Sequence, residues 1–410
     1  MADFAVELLK LTPVEACMVM SPLSMVAALS VLERGAGGAT KSQISDALKR
    51  NTTEADVQLS ASNDDVPELI RQLASADGVL MNVATRFYLA DSTTLHEEYN
   101  NQISKDFDVT AERLNFRDQR LTVQTINSFV SDATHGMIKQ LLSDNFSAAD
   151  MKAFLVNAVY FKGQWAKKFS EDSTRKDVFH GIKGDREESF MNMNNVKTCR
   201  YGQSDGVQVL ALEYKDKNYE FVIFLPSQDV PFAQFRESIT GEKIQELLGQ
   251  ASSGGVDVTI PKFKLSSSPN LKSMLQSLGV TDLFNSHDCD LHGVSPDELY
   301  VSNAIHQAVI EVTIPKFKLS SSPNLKSMLQ SLGVTDLFNS HECDLHGVSP
   351  DELYVTDAIH KAVIEVDEKG REPDPVAEAV AKRMFTLRNI HPLFRADHPF
   401  LYGVFRDHRR

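Results

Sequence analysis

The chain has 410 residues, of which 42% are hydrophobic, four cysteines and a formal net charge of −14. That much apolar material builds a sizeable core, while the acidic balance disfavours nucleic acid and anionic lipid as partners. No apolar run is long enough to cross a membrane, and the N-terminus MADFAVELLKLTPVEA lacks a basic n-region and a small-residue cleavage site, which together with the unrelated spacings of Cys17, Cys199, Cys289 and Cys343 points to a reducing, cytoplasmic setting.

Taken in chain order, Ser21-Pro22 reads as a helix start, with Ser21 as cap and Pro22 at the first helical position. The apolar run MVAALSVLERGAGG that follows predicts a buried helix ending among Gly35, Gly37 and Gly38. Residues 51–66 are polar and loop-like. Residues 82–89 alternate as a strand, 123–142 carry a helical period with Gly136 near a break, and 154–161, 207–212 and 219–225 are β-prone. A helix-rich front followed by crowded strands argues for an α+β fold over a doubly wound sheet.

Residues 258–311 then recur as 312–365 with four differences: Asp288/Glu342, Ser302/Thr356, Asn303/Asp357 and Gln307/Lys361. Two copies are too few for a solenoid, so a tandem duplication within a single 1–410 domain is expected. Both copies end on an alternating strand, AIHQAVIE from Ala304 and AIHKAVIE from Ala358. Only the second runs into a long charged loop.

Several motifs share one order: SPLS at 21–24, INSFVSDATHGMI at 126–138, NAVYFKGQWAKKF at 157–169 with the only tryptophan, Trp165, FMNMN at 190–194, IPKFKL twice, HKAVIEVDEKG at 360–370 and PFLY at 399–402. In this set the chain resembles a serpin. The resemblance implies three β-sheets, about nine helices and an exposed reactive loop that baits a protease. The protease forms an acyl intermediate on the loop, and the cut loop then inserts into the large sheet and distorts the trapped enzyme. It implies no catalytic residues, no cofactor and no metal in the chain itself. Ser21, Ser24, Asn157 and His360 match the family's buried polar cluster beneath the opening sheet, and Trp165 matches the residue at the top of that sheet. Family chains continue beyond the point corresponding to Arg410 into another hydrophobic strand, so a short C-terminus is expected to leave a sheet position unfilled.

Hinge and reactive loop are expected at 368–392. The resemblance matches Glu368 to the family's acidic residue before the hinge, and the family's usual spacing from it implies a scissile bond at Met384-Phe385, suited to a chymotrypsin-like or cathepsin-like protease, or to a trypsin-like one if the register slips to Arg383 or Arg388. The hinge itself reads Glu368, Lys369, Gly370, Arg371, Glu372, Pro373, Asp374, Pro375, where inhibitory members place Thr or Ser and then small residues. Each proline removes a ladder donor, and Arg371 shares a strand face with Pro373 and Pro375, so insertion is expected to be impaired at its first step. Farther on, Ala377, Ala379 and Ala381 are small on that same face, as insertion requires. Asp374-Pro375 also reads as a helix start, leaving open a non-inhibitory serpin that acts as a binding or chaperone-like protein, or a defective duplicated product.

His287, Cys289 and His292 recur as His341, Cys343 and His346, but the spacing matches no zinc module and the doubling comes from the copied segment. The near-identical copies compete for one slot in the fold. A monomer prone to swapping or polymerisation follows from that degeneracy.

Overall fold

Ser21 caps the second helix as its sequence implies: its extended backbone places the side-chain oxygen 3.3 Å from the Ser24 N–H, with Pro22 in the first turn. In this computed structural model residues 2–49, 66–148, 150–312, 317–321, 362–366 and 391–406 are described. The chain runs through α1 (Ala2–Lys10), α2 (Pro22–Gly35), α3 (Gly38–Lys49), α4 (Val66–Ala74), β1 (Val79–Ala90), α5 (Glu97–Phe107), β2 (Ala111–Leu114), α6 (Gln119–Ala133) and β3 (Ala153–Gly163). Next come β4 (Arg175–Gly181), β5 (Gly184–Val196), β6 (Cys199–Ser204), β7 (Val207–Glu213), β8 (Tyr219–Pro226), α7 (Phe232–Ser238), α8 (Gly241–Gln250) and β9 (Ser252–Ser253). Last are β10 (Val256–Pro261), β11 (Phe263–Ser267), α9 (Leu271–Ser277), β12 (Val301–Val312), β13 (Phe317–Ser321), β14 (Ala362–Val366), β15 (Leu393–Arg395) and β16 (Leu401–Arg406).

Backbone contacts divide the chain into a first unit, Met1–Thr313 with Ile390–Arg410, and a second, Ile314–Asn389. Three sheets build the first unit, ordered β11-β12-β3-β1-β2, β15-β10-β5-β4 and β16-β8-β7-β6-β9. In the second unit the described elements are the antiparallel pair β13 and β14.

The first of these sheets is sandwiched between helices, which explains why β3 is apolar on both faces and buried almost throughout. Leu155 shares one core cluster with Met25, Leu29 and Leu32 of α2, while Phe154, Val156, Ala158 and Tyr160 share another with Val123, Ile126 and Val130 of α6. Helix α2 is apolar nearly all round because it lies inside the molecule, so it has no wet face to mark with polar residues. The sheet that contains β7 and β8 is covered by α8 through Ile244 and Leu247.

The helical period read over 123–142 overshoots its helix, which ends at Ala133. His135 and Gly136 take positive φ of 51° and 75°, and the Gly136 N–H turns back to the Ser131 carbonyl at 2.7 Å. Apolar Ile138 and Leu142 remain buried as anchors of the turns that follow, which is why the pattern outlasts the helix.

Candidate functional site

Strands β3 and β12 lie side by side and parallel, with Val301 beside Ala153, a one-residue bulge at Ser302, and an unbroken register from Asn303 beside Phe154 to Glu311 beside Lys162. Side chains clasp this seam at two levels, and an aromatic stack lies just past its end. In its middle, Asn157 of β3 faces His306 of β12, both fully buried, with the capped start of α2 beneath them. Burying polar side chains is costly unless every donor and acceptor is met, and here they are. The Ser21 N–H donates to His306 Nε2 at 3.2 Å, which leaves Nδ1 as the protonated nitrogen, donating to Asn157 Oδ1 at 2.6 Å. Asn157 Oδ1 also accepts from Ser24 Oγ at 3.0 Å, and its Nδ2 donates to Thr85 Oγ1 on β1 at 2.7 Å and to the Ser24 carbonyl at 3.4 Å. Burial holds His306 down to about 3, so it stays neutral, as this bonding pattern needs.

At the C-terminal end of the seam, Glu311 accepts from Lys162 of β3 and from Lys264 of β11, each at 2.6 Å. Desolvation pushes this carboxyl upward, but the two lysines outweigh it and hold it below its usual range. Just past the end of β3, Trp165 is buried and stacks on Tyr214 with centroids 5.1 Å apart, with Phe169 and Phe221 edge-on at 5.9 and 5.7 Å. Gly163 makes that stack possible, since a Cβ there would lie 2.3 Å from the Tyr214 ring.

Of the five residues expected in this cluster, Ser24 bonds to both Ser21 and Asn157, while Trp165 stands apart from them just past the end of β3. His360 lies outside the described residues, and its counterpart in the first copy, His306, holds that place. The sequence signal was the repeat itself, which supplies two equivalent histidines and does not say which is used. The chain resolves it by connectivity, because β10 ends at Pro261 and β11 starts at Phe263, so the first copy enters the sheet with no intervening loop. The hinge residues Glu368, Gly370, Arg371, Glu372, Pro373 and Pro375 and the bond Met384-Phe385 lie outside the described residues.

No cluster of three or more potential metal ligands exists among the described residues. His292 Nδ1 lies 2.9 Å from Asp290 Oδ1, and burial pushes the Cys289 thiol up to about 12, a protonated form unsuited to zinc. The seam offers no nucleophile and base. What it does offer is two parallel strands joined by their backbone ladder and by a few specific side-chain contacts across it.

The serpin (serine protease inhibitor) family model matches residues 1–313 and again 311–410, so each match contains one copy of the repeat. The chain is 30% identical over 299 residues to serine protease inhibitor 42Dd of Drosophila melanogaster, covering 72% of this chain and 78% of that one. Uncleaved ovalbumin superimposes with a TM-score of 0.74 over 99% of this chain and 94% of ovalbumin at 22% identity. Human thyroxine-binding globulin, solved with its hormone, gives 0.72 over 100% and 94% at 20% identity. The chain belongs to the serpin family. Its three sheets and mixed helix and strand content are those of the serpin fold.

Proposed function

We propose that this chain is a protease-directed serpin that presents residues 371–392 as bait and traps its target by admitting the cut segment between β3 and β12. The observation that carries the reading is the closed five-stranded sheet, whose β3 and β12 are parallel neighbours clasped by Asn157–His306 and Lys162–Glu311. A strand inserted between them pairs on both edges and gains a full set of ladder bonds. That gain drives the trap, while the acyl bond comes from the protease's own nucleophile. Met384-Phe385 is the bond we assign to cleavage, by a chymotrypsin-like or cathepsin-like enzyme.

Arg371, Pro373 and Pro375 oppose this step, since a central strand has no place for prolines and buries alternate side chains. Trapping is therefore slow relative to release, and a share of encounters ends in cleaved, free serpin. Incubation with a chymotrypsin-like protease tests this: an SDS-stable complex of the two chains beside a cleaved product is expected, whereas cleaved product alone sinks the trap. The same hinge favours a second reading, a binding protein with a helical loop, for which the fold likeness to a hormone-carrying globulin is a precedent. Cleavage without complex formation supports that one.

A further inference from the structure

We propose that the two copies are interchangeable occupants of one place in the large sheet, so that residues 317–366 can replace 263–312. The pairing registers support this directly. Phe263, Lys264, Leu265, Ser266 and Ser267 oppose Val312, Glu311, Ile310, Val309 and Ala308 in the first copy. In the second, Phe317, Lys318, Leu319, Ser320 and Ser321 oppose Val366, Glu365, Ile364, Val363 and Ala362, the same residues in the same register.

None of the four differences touches a buried residue. Asp288 is exposed, and Ser302, Asn303 and Gln307 are half-buried. Ser302 accepts the Lys152 N–H through its hydroxyl at 2.9 Å, which Thr356 retains, and Asn303 accepts the Ala304 N–H through an oxygen that Asp357 retains. Gln307 donates to Ser266 at the surface, 3.3 Å away, and Lys361 keeps a donor there. Every first-copy residue that locks the seam has an identical counterpart: His306 in His360, Glu311 in Glu365, Lys264 in Lys318 and, against the Val19 N–H, Ser267 in Ser321.

Connectivity gives the exchange a consequence. With the first copy in the sheet, the strand beside β3 runs on into Thr313; with the second, it runs directly into Asp367 and the bait segment. An inserting strand folds back from the end of its neighbour, so in the exchanged form the bait segment enters between β3 and residues 355–366, in the place that β12 holds at rest. This last step rests on the bait reading above, whereas the exchange does not. Looping out residues 262–316 adds a second closure and disfavours the exchanged form by roughly 50- to 100-fold. The first copy is the resting occupant.

A buried charge at one core position separates the copies. Leu275 is fully buried in α9, and its counterpart is Leu329. Leu275→Asp is expected to keep a cooperative thermal transition a few degrees below that of the parent, because the second copy takes over. Leu329→Asp should match the parent, and the double variant should not fold. In the Leu275→Asp background, Lys162→Cys with Glu365→Cys should join through a short bis-maleimide, to which each thiol adds. Loss of folding in Leu275→Asp alone, or a folded Leu275→Asp that gives no such cross-link, overturns the exchange. Either result leaves open whether the loop baits a protease, which the complex-formation assay reads independently.

Discussion

Asn157 carries more of the seam than any other side chain, because it bonds to β12, to β1 through Thr85 and to α2 at once, and it exists in one copy only. Asn157→Ala leaves the His306 N–H and the Thr85 hydroxyl without their partner, at a cost of about 2–4 kcal/mol by the usual penalty for unmet buried groups. Urea titration of the variant should show that loss, and an unchanged midpoint would remove Asn157 from the account. His306 adds a pH dependence of fixed sign. Its folded value is depressed to about 3 from an ordinary 6.5, so the unfolded chain takes up the proton first and stability is lost as pH falls through 6.5. The slope is about 1.4 kcal/mol per pH unit below 6.5. Denaturant midpoints from pH 7 to 5 should fall accordingly; a flat profile would mean the histidine is charged or exposed. Ser21, Ser24 and Asn157 were legible from the sequence because each occurs once in its motif. The histidine was legible as a type and not as a number, since a repeat that keeps every core residue gives no local signal of which copy is packed.

At the scale of elements, β1, β3, β7 and β8 could be read from alternation and β-branched content, and α2 from its cap and apolar run. The end of α6 could not, because apolar residues anchoring a turn look like another helical turn until the backbone reaches Gly136. The Lys162–Glu311 clasp was equally invisible: its partners are far apart in sequence and meet only through the parallel register of β3 and β12. Lys162→Met removes one of the two bonds to Glu311 and should destabilise the closed sheet by about 1–2 kcal/mol, as for a charged hydrogen bond with little solvent screening. On the bait reading, the sequence Arg371 to Pro375 is what most opposes insertion. Replacing Arg371, Pro373 and Pro375 together by Thr, Ala and Ala restores the ladder donors and small side chains an inserting strand requires. The fraction of encounters ending in an SDS-stable protease complex should rise several-fold. If the triple variant partitions as the parent does, the hinge is not what limits insertion.

For the molecule as a whole, the order of motifs conveyed the α+β class and three-sheet architecture, since independent segments in one sequence order constrain a topology far more than any one of them. What the sequence left open was how one fold accommodates two copies of a strand, helix and strand, because both satisfy the same core equally well. The sheet is closed along a seam clasped by polar contacts, and the proposed function rests on that seam admitting one more strand. Thermal unfolding before and after a non-target protease nicks the chain within residues 371–392 tests this without knowledge of the partner. Insertion worth several kcal/mol should raise the midpoint by about 5 °C or more for a domain of this size. A nicked, folded sample with an unchanged midpoint would contradict insertion and leave a binding role for the chain.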